Sequence, residues 1–220
     1  MIKATDITLS YDKQQMVIEN GNFTINDNDF VFITGSSGSG KSTLLKALYG
    51  ELTPLKGSLT VNNVDLTNKT TSKLLELRKT TGIVFQDYQL IEDYTVEENI
   101  MIPLKINGRS SDVIDEQVKK LLSRVKLSHK AKVFPTQLSG GEQQRVAVAR
   151  ALAHNPKIVF ADEPTGNLDK YSADIIWGLL RDANQQLNVT VVVVTHTIPE
   201  DLSIDFRKFS IDEGVIYEIS

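Results

Sequence analysis

The chain has 220 residues, of which 40% are hydrophobic and 24% charged, a balance typical of a folded globular protein that excludes a disordered or low-complexity chain. Its 24 basic and 28 acidic side chains give a formal net charge of -4, so no overall positive charge favours a nucleic acid partner. The absence of cysteine excludes disulfides, thiolate metal sites and a cysteine nucleophile. Without a signal-peptide pattern or an apolar run of the ~18 residues that span a membrane, a soluble, cytosolic protein is expected.

The first 86 residues predict a mixed α/β layer. Ile7, Leu9 and Tyr11 alternate with polar residues, as in a half-buried strand, and the Asn- and Asp-rich stretch 21–29 predicts a turn. The short apolar run 30–33 is typical of a buried strand. The elements expected after it are a Gly- and Ser-rich loop, a helix carrying Leu44, Leu45 and Leu48, a strand over 58–61, a helix over 72–79 and a strand over 82–86.

The sequence from 87 to 153 predicts helices only. Thr95 and Glu98 have the spacing of an N-terminal capping box, in which each side chain bonds the other residue's backbone N–H. The apolar residues between 113 and 125 recur at helical spacing, which predicts a second, amphipathic helix. This region is therefore interpreted as a helical insertion.

The last third of the sequence returns to strands. The runs 158–161 and 191–194 are continuously apolar, which is the pattern of parallel strands buried on both faces. A crossover helix around 175–180 lies between them, and 206–219 predicts a closing hairpin. The patterns together predict one domain, residues 1–220, with a core formed by 1–86 and 154–220 and an inserted helical subdomain formed by 87–153.

The segment 35–42 matches the phosphate-loop pattern G-x-x-x-x-G-K-[ST] and lies between a predicted strand and a predicted helix, as that motif requires. Its glycines let backbone N–H groups approach phosphates closely, and the helix dipole favours an anion there. Lys41 is expected to bind the β- and γ-phosphates and Ser42 to coordinate Mg²⁺, whereas the alternative is an ordinary surface loop. The predicted nucleotide contacts are Gly35, Ser36, Ser37, Gly38, Ser39, Gly40, Lys41, Ser42 and Thr43.

Two carboxylates, Asp162 and Glu163, follow the apolar strand 158–161. Ligands of open α/β sheets bind at the carboxyl ends of the strands, so these side chains are expected at the same edge as the phosphate loop. Asp162 would bind Mg²⁺, directly or through water, and Glu163 would act as the general base on the attacking water. The alternative is that they are turn or helix-capping residues, which are common after strands.

The segment 138–145 reads LSGGEQQR, and Ser139 and Glu142 have the spacing of a capping box. A capping serine does not explain the two glycines, Gly140 and Gly141, which weaken a helix but let a phosphate approach its N–H groups. Because the phosphate loop of the same chain already has an anion, this second anion-binding helix terminus predicts a γ-phosphate offered by another copy of the chain.

The LSGGEQ segment, lying between a phosphate loop and an acidic strand, resembles the hallmark sequence of the ATP-binding cassette (ABC) ATPases. The resemblance implies an α/β fold of the P-loop NTPase type, with a RecA-like mixed β core, an antiparallel β subdomain and an inserted helical subdomain. It covers nearly the whole chain and places every remaining family element in sequence order. ATP and Mg²⁺ are the implied ligands.

The same resemblance assigns further residues. Tyr11 occupies the aromatic position that stacks on adenine, although a strand-end tyrosine packed on the sheet is the alternative. Gln86 resembles the residue that contacts Mg²⁺ and links the site to the helical subdomain, and Asp169, in the stretch GNLD, resembles a residue of the loop that crosses the dimer interface. His196 resembles the switch histidine that contacts the γ-phosphate, with Lys41, Gln86 and Glu163 as its catalytic partners.

Two observations about histidines accompany this assignment. Members of the family often have Asp after the switch histidine, whereas Thr197, Ile198 and Pro199 follow here, which puts the local loop geometry in doubt. His129 and His154 have no comparable context and are expected at the surface.

The stretch ADEPTGNLD, residues 161–169, is similar to the branch of the family that holds lipoprotein-release, macrolide-export and cell-division ATPases. The run 131–145, the pair Gln86 and Asp87, and the compact length without a fused membrane domain are most similar to the cell-division members. The resemblance implies a head-to-tail homodimer induced by ATP, with Ser139, Gly140 and Gly141 of one copy closing over the nucleotide of the other, and an integral membrane partner that attaches the dimer to the inner face of the membrane. The alternatives are an export ATPase, a soluble scaffold or nucleic-acid-associated ABC protein, and a P-loop kinase or GTPase.

Overall fold

The computed structural model describes residues 1–12, 14–166 and 168–219. Its first elements are β1 (Ile2–Ser10), β2 (Met16–Ile25), β3 (Phe30–Gly35), α1 (Lys41–Leu48), β4 (Lys56–Val61), β5 (Val64–Asp65), α2 (Thr71–Lys79) and β6 (Thr81–Val84). The later elements are α3 (Val96–Ile106), α4 (Ser111–Arg124), α5 (Gly140–Leu152), β7 (Ile158–Asp162), α6 (Lys170–Leu187), β8 (Thr190–Val194), β9 (Arg207–Asp212) and β10 (Val215–Ile219).

The strands form two sheets. A four-stranded antiparallel sheet has the order β2-β1-β4-β5, and a six-stranded sheet has the order β10-β9-β3-β8-β7-β6. In the larger sheet, neighbouring strands from β9 to β6 are parallel, and only the edge strand β10 is antiparallel to its neighbour. The mixed α/β fold predicted from the sequence is therefore confirmed.

The apolar runs of the central strands are explained by burial on both faces of the larger sheet. Along β8, Val191 and Val193 belong to a hydrophobic cluster shared with the helices α3 to α6, whereas Val192 and Val194 belong to a second cluster shared with α1 and the smaller sheet. Successive side chains of a strand point to opposite faces, so only a strand covered on both sides is apolar at every position.

All the elements between 87 and 153 are helical. The start of α3 is a complete capping box, because Thr95 N donates to Glu98 Oε2 at 2.8 Å and Glu98 N donates to Thr95 Oγ1 at 3.4 Å. Helix α5 contacts β6 and α6, so it joins this region to the larger sheet. No helix among the described residues combines the length and apolar character that crossing a bilayer requires.

Two sequence-based expectations are wrong. The stretch 21–29 is not all turn, since β2 continues to Ile25, where burial of Phe23 and Ile25 and pairing with β1 outweigh the turn preference of Gly and Asn. His154 is not a surface residue: only 8% of it is exposed, because residues of β6, distant in sequence, pack around it. Burial lowers the pKa of its imidazole.

Candidate active site

The candidate site is a cavity of about 360 Å³ at the carboxyl ends of β3, β6, β7 and β8. Parallel strands bring the residues that follow them to one edge of the sheet, so side chains distant in sequence meet there. Its walls come from the phosphate loop, the residues after β6, β7 and β8, and Gly166. The lining residues are Gly35, Ser37, Gly38, Lys41, Ser42, Gln86, Asp162, Glu163, Gly166 and His196.

The phosphate loop joins β3 to α1. Gly40, at the N-cap of α1, has φ +106°, and Gly35 lies so close to β9 that a Cβ would be 2.4 Å from the carbonyl oxygen of Ile211. A side chain is excluded at both positions. Within the described part of the chain, no side chain caps α1, so its first backbone N–H groups remain able to donate to a ligand.

Lys41 folds back over this loop. Its Nζ donates to the carbonyl oxygens of Gly35 at 2.9 Å and Ser36 at 2.8 Å, which places its charge at the mouth of the loop. The Oγ atom of Ser39 is buried and, among the described residues, has no hydrogen-bond partner. A glycine-rich loop with free N–H groups and a lysine above it fits a polyphosphate.

Oxygen ligands suited to Mg²⁺ lie beside the loop. Burial raises the pKa of Asp162 above its ordinary value, and repulsion from Glu163 adds to this, while a hydrogen bond with Ser42 and the charge of Lys41 oppose it. A divalent cation would compensate the cost of burying the Asp162 carboxylate. Mg²⁺ sites of phosphate-binding proteins combine one or two carboxylates with other oxygen ligands, phosphate and water. The Asp162 carboxylate, the Ser42 hydroxyl and the Gln86 amide fit that description.

Glu163 is held from two sides. Its Oε1 lies 2.9 Å from Nδ1 of His196, and its Oε2 accepts a hydrogen bond from Oγ1 of Thr195 at 3.1 Å. The Glu163 side chain is only 13% exposed, whereas that of His196 is 65% exposed. The backbone of Glu163 has φ +44°, in the left-handed region, and its N–H donates to Val194 O at 2.9 Å.

Tyr11 lies next to the cavity and does not line it. The tyrosine follows β1 and is 60% exposed, and its hydroxyl is 3.3 Å from Oγ1 of Thr43. The ammonium of Lys46 lies 5.7 Å from the ring centroid. An exposed ring anchored to α1 is compatible with stacking on a purine, so the role of Tyr11 stays a prediction.

The LSGGEQ stretch, residues 138–143 and from here on the signature segment, lies apart from this cavity. Ser139 and Glu142 form a capping box, with Ser139 N donating to Glu142 Oε2 at 2.9 Å and Glu142 N donating to Ser139 Oγ at 3.3 Å. The glycines after Ser139 also have steric reasons within the chain. A Cβ at Gly140 would lie 2.9 Å from the Tyr88 hydroxyl, and one at Gly141 would lie 2.6 Å from Ser172 Oγ.

Asp169 belongs to the same region. Its carboxylate caps α6 by accepting a hydrogen bond from Ser172 N at 2.9 Å, and this contact holds the pKa of Asp169 below its usual value. In the stretch 166–169, Asn167 lies outside the described residues. The structure therefore brings Lys41, Gln86, Glu163 and His196 together, and it places Ser139, Gly140, Gly141 and Asp169 elsewhere.

Sequence reasoning missed Thr195 as a contact of Glu163 and placed Gln86 at the end of its strand, two residues beyond where β6 ends. The available signal for Thr195 was a hydroxyl directly after an all-valine run. An apolar groove of about 330 Å³ runs past β6 and α3, and sequence reasoning missed that His154 lies in its wall.

A glycine-rich phosphate loop, a strand-end carboxylate pair and a parallel sheet define a P-loop nucleotide hydrolase. Residues 18–166 match the family model described as ABC transporter. The chain belongs to this family, and it is an ATPase that binds ATP together with Mg²⁺.

Two relatives sharpen the comparison. The chain is 38% identical over 216 residues to the "Cell division ATP-binding protein FtsE" of Bacillus subtilis (strain 168), covering 98% of this chain and 94% of that protein. It is 37% identical over 218 residues to the "Methionine import ATP-binding protein MetN" of Carboxydothermus hydrogenoformans, covering 99% of this chain and 65% of that protein. The expected similarity to cell-division ATPases is confirmed.

A solved structure shows the same fold. The ATP-binding cassette MJ0796, described as a dimer in a post-hydrolysis state bound to ADP and Pi, superimposes with a TM-score of 0.89 and 35% identity, covering 100% of this chain and 98% of that one. The predicted P-loop fold with its antiparallel and helical additions is therefore confirmed at the level of the whole chain.

Proposed function

We propose that the chain is the ATP-hydrolysing subunit of a membrane complex of the FtsE type, with an integral membrane partner similar to FtsX. In such a complex, ATP hydrolysis at the inner face of the membrane would control peptidoglycan hydrolases outside it. The observation that carries the catalytic part is the single cavity in which Lys41, Asp162, Glu163 and His196 meet. The match to FtsE over nearly the full length of both chains supports the cell-division part.

The residues of the cavity divide the chemistry between them. The loop amides and Lys41 would bind the phosphates, and Ser42, Asp162 and Gln86 would hold Mg²⁺, which neutralises phosphate charge during transfer. One carboxylate oxygen of Glu163 would accept a proton from the attacking water. His196 would orient that carboxylate and contact the γ-phosphate.

A second copy of the chain would complete the site. Ser139, Gly140 and Gly141 do not line the cavity of their own chain, although they form an N-terminal helix end of the kind that binds anions. In a head-to-tail dimer, this helix end would close over the γ-phosphate held by the partner. The dimeric state of the cassette MJ0796 supports this arrangement.

The apolar groove beside Gln86 is the proposed docking site of the membrane subunit. Ile83, Phe85, Ile102 and Ile106 contribute apolar walls. The groove runs along β6, and the chain that continues beyond β6 carries Gln86 into the catalytic cavity. A cytoplasmic helix of the membrane subunit seated there would respond to movements of Gln86. The net charge of -4 gives no general support for a nucleic acid partner.

A substrate transporter is the second candidate function. The sequence identity to MetN is one percentage point below that to FtsE. The sequence of the ATPase chain alone therefore does not distinguish a cell-division function from import. The lipoprotein-release and macrolide-export branch uses the same chemistry and is the corresponding export alternative. The difference between these functions lies in the membrane subunit.

Co-expression with candidate membrane subunits from the same genome tests the proposal. We expect a tagged chain to co-purify from detergent extract with the FtsX-like protein and to hydrolyse ATP faster in that complex. Stable recovery with a methionine-import or lipoprotein-release permease, and none with the FtsX-like protein, would overturn the cell-division assignment and leave the ATPase assignment intact.

A charged side chain introduced into the groove tests the docking site, and the same change outside the groove is the matched control. Ile106 lines the groove and is 64% exposed, whereas Val113 on α4 is 48% exposed and does not line it. Ile106→Asp should reduce recovery of the membrane subunit about tenfold, the effect of losing an apolar anchor, while ATP binding is unchanged. Val113→Asp should leave recovery as in the wild type. Equal recovery with both variants would exclude this groove as the docking site.

A further inference from the structure

We propose that Thr195 is a positioning residue for ATP hydrolysis, whose hydroxyl fixes the Glu163 carboxylate in the orientation needed to receive a proton from water. The inference rests on the proposed role of Glu163 as general base. Thr195 is the residue between the all-valine end of β8 and His196, and only 3% of it is exposed.

The backbone of Thr195 is fixed independently of its side chain. Its N–H donates to the carbonyl oxygen of Ile33 in β3 at 3.2 Å, so the residue continues the register of the central sheet. The hydroxyl is therefore presented from a rigid support at the strand end. Sites built on strands and helices hold a side chain in place more accurately than sites built on loops.

Among residues 1–12, 14–166 and 168–219, the Thr195 hydroxyl has three polar neighbours. Oγ1 lies 3.1 Å from Glu163 Oε2 and 3.0 Å from Thr197 O, and it accepts a hydrogen bond from Thr197 N at 3.1 Å. A hydroxyl has one hydrogen to donate, so the Glu163 carboxylate and the Thr197 carbonyl compete for it. A hydrogen bond to an ionised acceptor is about twice as strong as one to a neutral acceptor, so the charged form of Glu163 takes the hydrogen.

Two consecutive residues then hold the two oxygens of one carboxylate. Thr195 binds Oε2 and His196 binds Oε1, which leaves the carboxylate plane little freedom to rotate. His196 is largely exposed and lies in a loop, whereas Thr195 is buried and fixed by β3. Thr195 is therefore the more rigidly held contact, and the hydrogen bond from Thr197 N helps to fix the orientation of its hydroxyl.

Two variants, Thr195→Val and Thr195→Ser, separate the positioning role of the hydroxyl from the packing of the side chain. Valine keeps the shape and extends a strand that is already valine at four positions, so Thr195→Val should fold, while serine keeps the hydroxyl and loses only the methyl group. With the Thr195→Val variant we expect kcat for ATP to fall about 10-fold to 100-fold, as for loss of orientation, with KM and the Kd for ATP within about twofold of wild type. Thr195→Ser should retain kcat within about threefold.

A second measurement follows the closed dimer. If proton transfer is slowed and nucleotide binding is kept, the Thr195→Val variant should accumulate an ATP-dependent dimer on sizing that the wild type forms only briefly.

Three results would overturn the role of Thr195: an unchanged kcat for Thr195→Val, an equal loss of kcat for both variants, or a rise in KM that accounts for the whole defect. Normal ATP hydrolysis by the Glu163→Gln variant would instead contradict the general-base assignment, so the two failures are distinguishable.

Discussion

The catalytic cavity and the signature segment differ in how their polar groups are used. In the cavity, Lys41, Asp162, Glu163 and His196 face one another around a space of about 360 Å³. In the signature segment, the Ser139 hydroxyl caps its own helix, so this polar group is bonded within the chain. One chain therefore gathers the residues of the cavity at one sheet edge, whereas its signature segment lies outside that cavity and is proposed to act on a second copy.

Among the variants that test this difference between the two regions, Glu163→Gln should have the largest effect, which is on ATP turnover. It keeps the shape of the side chain and removes the base, so ATP turnover should fall about 1,000-fold, while the ATP-bound dimer accumulates because binding is intact. Phosphate release and sizing in the presence of MgATP measure the two effects. Glu76→Gln, at an exposed position on α2, is the matched control and should behave as the wild type. Normal turnover by the Glu163 variant would assign the base to another group.

Ser139→Arg tests the proposed role of the signature segment in dimer closure. A long charged side chain at the tip of α5 should prevent dimer closure, so the ATP-dependent dimer is lost and turnover falls at least about tenfold, while ATP binding by the single chain is kept. Ser110→Arg places the same side chain at the exposed N-cap of α4 and should not change dimerisation. An unaltered dimer with Arg at 139 would remove the trans-acting role of the signature segment.

Asp162→Asn gives the smallest expected effect, on stability. Because burial raises the pKa of Asp162 above 3.8, the folded state holds more protons than the unfolded state between 3.8 and the raised value. Folding stability is therefore lost as pH rises through that window, and at neutral pH the folded state bears the full cost of burying the ionised Asp162 carboxylate. Without nucleotide, Asp162→Asn should have the higher Tm at pH 7, an advantage that disappears as pH falls below the window.

The same variant should lose the stabilisation by MgATP. Asp205→Asn, which removes an exposed carboxylate, should match the wild type in both measurements. A nucleotide-free Tm lower than that of the wild type would mean that the Asp162 charge stabilises the fold by itself. Undiminished stabilisation by MgATP would remove Asp162 from the metal site.

Local features were predictable from the sequence because short-range physics decides them. The phosphate loop, the capping boxes at Thr95 and Ser139 and the apolar runs of β7 and β8 each depend on residues within about ten positions. The turn predicted over 21–29 was wrong because pairing with β1 and burial in the core outweigh local preference there. His154 was misplaced for the same reason, since the residues that bury it come from another part of the chain.

The sequence by itself determined the phosphate loop, the acidic strand end, the signature segment and, through them, the family. Only the tertiary structure decided which of these meet: parallel pairing of β3, β8, β7 and β6 brings their carboxyl ends to one edge, so residues from 35 to 196 form one cavity. It also decided that Thr195 contacts Glu163 and that Ser139 does not reach the cavity of its own chain. Distances between strand ends depend on sheet order and register, which arise from burial of whole faces and not from any short stretch of residues.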